Sequence, residues 1–119
     1  MDKETLCNQI RGLDPSVRFV GLINDKGRLV AGGMASGKSS LEDTKKDEML
    51  FMELALRVRM RQEFDPELGP VRFALSYRDK VIVISFPLNK EILLISAEKE
   101  IDFAKFPFKV LKAIEEYSK

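Results

Sequence analysis

Residues 39–64, SSLEDTKKDEMLFMELALRVRMRQEF, decide the fold. At about 100° per residue, Leu50, Phe51, Leu54, Ala55 and Val58 fall on one side of a helix. Met49, Met52, Leu56 and Met60 fall on the opposite side. Glu53 and Arg57 occupy one polar seam between these faces, with Arg61 beside Leu54, and Arg59 lies in the other seam. A helix apolar on two faces needs two surfaces to bury against. In a chain of 119 residues one of them is its own sheet. The other is a second copy, a different partner or more of the same core, and the periodicity does not say which face meets the sheet.

Outward from this helix the chain reads as strands and two shorter helices. Upstream, Lys3–Gly12 carries an apolar stripe of Leu6 and Ile10 with Cys7 beside it, and Asp14-Pro15-Ser16 ends it. Val17–Ile23 is a β-branched and aromatic strand. Asn24-Asp25-Lys26-Gly27 turns the chain, and Arg28–Gly32 returns as the second arm of a hairpin. Gly33–Lys38 reads as a loop. Ser39 with Glu42 makes a capping box that starts the long helix, and Thr44 with Asp47 offers a later start. The helix is expected to end near Phe64, because Asp65-Pro66 disfavours continuation.

Downstream, Val71–Arg78 alternates, with Val71, Phe73, Leu75 and Tyr77 on one face and Arg72, Ala74, Ser76 and Arg78 on the other. Val81–Phe86 and Ile92–Ala97 are apolar on both faces, which places them at the covered centre of a sheet, joined by a turn at Pro87-Leu88-Asn89-Lys90. A last helix starts near Phe106, with Pro107 in its first turn, and turns Val110, Leu111 and Ile114 inward. The expected class is α+β: a five-stranded antiparallel sheet with helices on both faces, in the order α-β-β-α-β-β-β-α, as one domain over residues 1–119.

This order, together with VRFVGLINDKGRLVAGG at residues 17–33, resembles the roadblock/LC7 domain, related in plan to profilin and longin domains. The same segment, with FDPELGP after the helix, is also similar to small uncharacterised archaeal proteins. The resemblance implies a homodimer in which the long helix and the following edge strand meet their counterparts. It would place Met49, Met52, Leu56, Met60 and Arg59, with Val71, Phe73 and Leu75, at the interface. It also implies a non-enzymatic scaffold or regulator, often of small GTPases. Folds of this plan also hold small molecules between helix and sheet, and a pocket lined by Phe51, Phe73 and Tyr77 would favour a ligand sensor.

Composition narrows the other classes. Net charge is +1, from 20 basic and 19 acidic residues, so there is no bulk attraction to nucleic acid or anionic lipid. With no aromatic interleaving around Arg57, Arg59 and Arg61, those arginines read as snorkelling residues at an interface edge. The expected partners therefore exclude nucleic acid and membrane. The single Cys7 excludes an internal disulfide and fits a reducing compartment. The charged first ten residues lack the apolar centre of a signal peptide, so the expected location is cytoplasmic. The chain has no His, which removes Ser–His and Cys–His catalysis and the usual zinc sets; no catalytic residue, metal site or cofactor is expected.

One motif pulls the other way. Gly32-Gly33-Met34-Ala35-Ser36-Gly37-Lys38-Ser39 matches the phosphate-binding pattern G-x-x-x-x-G-K-[ST]. Yet the preceding strand is a hairpin arm, and no later strand ends in the aspartate that would complete a metal site. The plainer reading is a glycine-rich loop capped by Ser39.

Overall fold

A computed structural model describes residues 2–41 and 43–118. Its elements are α1 (Lys3–Arg11), β1 (Val17–Asn24), β2 (Leu29–Met34), α2 (Thr44–Arg61), a 3₁₀ turn (Gln62–Phe64), the one-turn helix α3 (Asp65–Leu68), β3 (Ala74–Tyr77), β4 (Ile82–Leu88), β5 (Glu91–Ala97) and α4 (Phe106–Tyr117). The five strands form one sheet in the order β2-β1-β5-β4-β3, with every neighbouring pair antiparallel. The two strands apolar on both faces, β4 and β5, lie inside it. The expected class and order are what the structure has, with α3 added.

Strand alternation divides the core in two. Val20, Leu22, Ile82, Ile84, Phe86, Leu93 and Ile95 face one way and pack with Leu6, Cys7 and Ile10 of α1 and Phe106, Val110 and Ile114 of α4. Ile23, Val83, Ile92 and Leu94 face the other way and meet Phe51, Leu54, Ala55 and Val58 of α2. The first core holds 18 buried residues among those described, the second eight. Cys7 is fully buried in the first core, where desolvation pushes its thiol up to about 11, with the Glu4 carboxylate adding to the effect. It is a protonated apolar filler near neutral pH.

Several boundaries differ from expectation, and β2 runs on to Met34, into the expected Gly33–Lys38 loop. The long helix starts at Thr44, five residues after Ser39; its N-cap is Asp43, whose carboxylate accepts from the Lys46 amide at 2.9 Å. Glu42, the other half of the expected capping box, lies outside the described residues. The helical path does not stop at Asp65-Pro66. The chain tightens into the 3₁₀ turn, and α3 begins anew with Pro66 in its first turn, where a missing N–H costs no hydrogen bond.

Finally, β3 spans only Ala74–Tyr77 instead of beginning at Val71. Its register pairs Ala74 with Ser85, so Arg72 would face Pro87. Proline has no N–H to donate, and the ladder stops there. On the hairpin side, Pro87 and Leu88 are strand residues paired with Ile92 and Glu91, leaving Asn89-Lys90 as the turn. Asn89 takes φ 48°, which asparagine tolerates better than most residues.

Candidate functional site

Helix α2 lies on the sheet by its Phe51 face. Phe51 stacks on Phe19 of β1 with ring centroids 5.9 Å apart, and small Ala55 lets the helix approach the strands. Inward placement of that face fixes the other. Met49, Met52, Leu56 and Met60 point into solvent, with fractional exposures of 67, 60, 55 and 60%.

The β1–β2 turn frames this apolar face. Gly27 has φ 79°, and a Cβ there would stand 2.8 Å from both the amide nitrogen and the Cα of Met52. Only glycine lets the turn lie against the helix backbone. Arg59 fastens the contact, its Nη2 donating to the Asp25 carbonyl at 3.2 Å. Turn and helix together form a shallow depression of about 530 Å³, lined by Lys26, Met49, Met52, Leu56 and Arg59 among others. On the opposite seam Glu53 pairs with Arg57 at 3.5 Å, one helical turn apart.

The sequence-derived interface residues are thus split. Met49, Met52, Leu56, Met60 and Arg59 share the outer side of α2. Phe73 and Leu75 pack against the first core, beneath the sheet from α2, where Phe73 meets Phe86 at 5.8 Å and Phe108 edge-on at 5.5 Å. Val71 is half-buried in the segment before β3. The three aromatics proposed to line a ligand pocket do not converge either. Phe51 is above the sheet and Phe73 below it, while Tyr77 stands 61% exposed at the edge, against Phe103 and under the Lys99 ammonium, 3.7 Å from its ring centre.

The glycine-lysine motif has no phosphate-loop geometry. Gly32 and Gly33 are residues of β2, and the helix does not begin until Thr44, so no helix N-terminus stands over the loop. The Lys38 ammonium donates to the Glu98 carboxylate, which Arg18 also approaches at 3.8 Å. Arg18 Nη2 also donates to the Ser39 carbonyl at 2.8 Å. The loop is tied down on the sheet. The hydrogen bond from Lys38 holds the Glu98 carboxyl below the usual range, helped by the Lys38 charge. Lys38→Ala should therefore move the Glu98 titration up toward that of an ordinary glutamate, as read by NMR. It should change stability by no more than about 0.5 kcal/mol. Magnesium–ATP should not bind the wild type; micromolar binding lost in Lys38→Ala would overturn this.

Among the described residues no helix is long and apolar enough to cross a membrane. Comparison with solved structures shows the roadblock/LC7 and profilin fold. The Roadblock/LC7 domain from Streptomyces avermitilis is similar over 98% of both chains, at TM-score 0.69 and 14% identity. The gliding protein MglB from Thermus thermophilus matches 94% of this chain and 84% of its own at TM-score 0.73 and 12% identity. Profilin IA of Acanthamoeba castellanii matches 98% of this chain and 95% of its own at TM-score 0.61 and 13% identity. No curated protein matches the sequence. One family model, described as a family of unknown function (DUF6659), matches residues 1–119.

Proposed function

The chain belongs to the DUF6659 family, and we propose that it is a non-enzymatic interaction module that pairs with a second copy of itself through the outer face of α2. One observation carries the reading: Met49, Met52, Leu56 and Met60, all at least 55% exposed, lie side by side on a helix whose opposite face is core. Single exposed apolar residues need no explanation, but a contiguous row of four does. Methionine suits a contact surface because its unbranched side chain adapts to what it meets. A two-fold pair covers the row on both chains at once.

Strand β3, at the sheet edge, is the other element that the roadblock resemblance brings to the interface. Phe73 and Leu75 already have partners in the first core, so β3 would contribute its unpaired backbone edge instead of those side chains. The same resemblance supplies the functional setting, a scaffold or regulator acting on a small GTPase. Sedimentation equilibrium at micromolar concentration should give about twice the chain mass of 13.6 kDa. A monomer persisting at hundreds of micromolar would sink the self-pairing.

A further inference from the structure

Between α2 and the β3–β4 edge lies a cleft of about 170 Å³ whose lining includes Arg57, Arg61 and Arg78. Arg57 and Arg61 come from successive turns of the helix, and Arg78 follows β3. Ser76 of β3 and Ser85 of β4, paired through their neighbours in the ladder, add two hydroxyls to the same wall. The lining therefore carries three arginines and one acidic residue, Glu53, which is engaged with Arg57.

Two details mark the cleft as incomplete. Arg61 Nη1 is buried without a hydrogen-bond partner, and neither Arg61 nor Arg78 has a carboxylate within ion-pair distance among the described residues. Ser85, 3% exposed, is a buried polar side chain on the same wall. A buried cationic donor left unsatisfied is costly, and native structures carry few of them. Donors converging from a helix and two strands suit a tetrahedral oxyanion with three or more acceptor oxygens better than a two-oxygen carboxylate. The volume is below the ~300 Å³ at which pockets hold a whole drug-sized ligand. It has room for a phosphoryl group with little attached.

We propose that this cleft binds the phosphate of a small phosphomonoester, held by Arg57, Arg61 and Arg78 and oriented by Ser76 and Ser85. The site goes beyond self-pairing and is complete within one chain, so its test does not depend on oligomeric state. The probe is inorganic phosphate, titrated into labelled protein and followed by amide NMR, with chloride at matched ionic strength as the blank. The amides of Ser76, Arg78 and Ser85 should shift saturably with phosphate and not with chloride. Arg61→Gln and Arg78→Gln should each weaken binding about tenfold, since each removes a charge-assisted pair. Arg28→Gln, on the distant hairpin, should bind as the wild type does. Non-saturating shifts, shifts reproduced by chloride, or equal weakening in Arg28→Gln would overturn the site, as would full binding in both cleft variants.

Discussion

Phe51→Glu is expected to unfold the chain, while Leu56→Glu, on the same helix, leaves it folded and unable to self-associate. Phe51 is 9% exposed and stacked on Phe19; Leu56 is 55% exposed. Truncating a buried phenylalanine costs about 3–5 kcal/mol, and an unpaired carboxylate in its place adds several more. That sum approaches the ~5–15 kcal/mol that holds a domain of this size together. Phe51 is a sharper choice than Leu54, because a glutamate at Leu54 would stand beside Arg61 in the arginine cleft and find a partner. At Leu56 the carboxylate is hydrated in the free chain and is desolvated only in the pair. Circular dichroism should be unchanged there, and association weakened by roughly a hundredfold, as for a charge buried unpaired at an interface. If Leu56→Glu sediments as the wild type does, the outer face is not the contact. If Leu56→Glu unfolds and Phe51→Glu does not, the helix lies on its other side.

Gly32→Ala should be the most damaging single methyl in the chain. The φ of Gly32 is 90°, and a Cβ there would lie 2.1 Å from the Val20 carbonyl oxygen and 2.7 Å from the Gly21 Cα. Both obstacles are backbone atoms of the paired strand, so no side chain can swing aside. A left-handed conformation in a non-glycine residue costs about 1–3 kcal/mol by itself, before β1 and β2 are pushed apart. A loss of about 3 kcal/mol should lower Tm by roughly 10 °C or more in a chain of this length. Gly12→Ala is the control. That residue is in the right-handed region with φ −80°, and a Cβ there meets nothing closer than 3.6 Å. A Gly32→Ala variant melting within a degree or two of Gly12→Ala would mean that the β1–β2 ladder is not built as described.

Much of this architecture was legible before any coordinate. The both-sided apolar runs at Val81–Phe86 and Ile92–Ala97 had no place except inside a covered sheet, and Pro107 marked the start of α4. The boundaries at which structure and sequence pattern differ turn on choices between neighbouring signals. Two capping boxes competed for the start of α2, and Asp43, in neither as the cap residue, took the position. Alternation at Val71–Phe73 was genuine, but strand pairing depends on what stands opposite, and Pro87 becomes visible as the obstacle only once register is known. The orientation of α2 was hidden because both its faces are apolar, and the decisive fit of Phe51 to Phe19 joins residues 32 positions apart. The arginine cleft had a weak signature. Arg57 and Arg61 are four apart on a helix, and Ser76 and Arg78 are two apart on a strand; their convergence needed the helix to be laid across the sheet.

The unequal division of the core means that the two layers do not let go together. Among the described residues, eight buried ones hold α2, whereas eighteen bind α1, α4 and the sheet into one block. Free energies of local opening follow such differences in buried contact, so the native ensemble should include states in which α2 has lifted while the strands remain paired. In those states both apolar stripes of the helix and the Ile23–Leu94 side of the sheet are bare at once. A copy bound across the Met row would then act as a clamp on the weaker layer, suppressing lift-off by mass action and keeping that sticky surface out of reach of wrong partners.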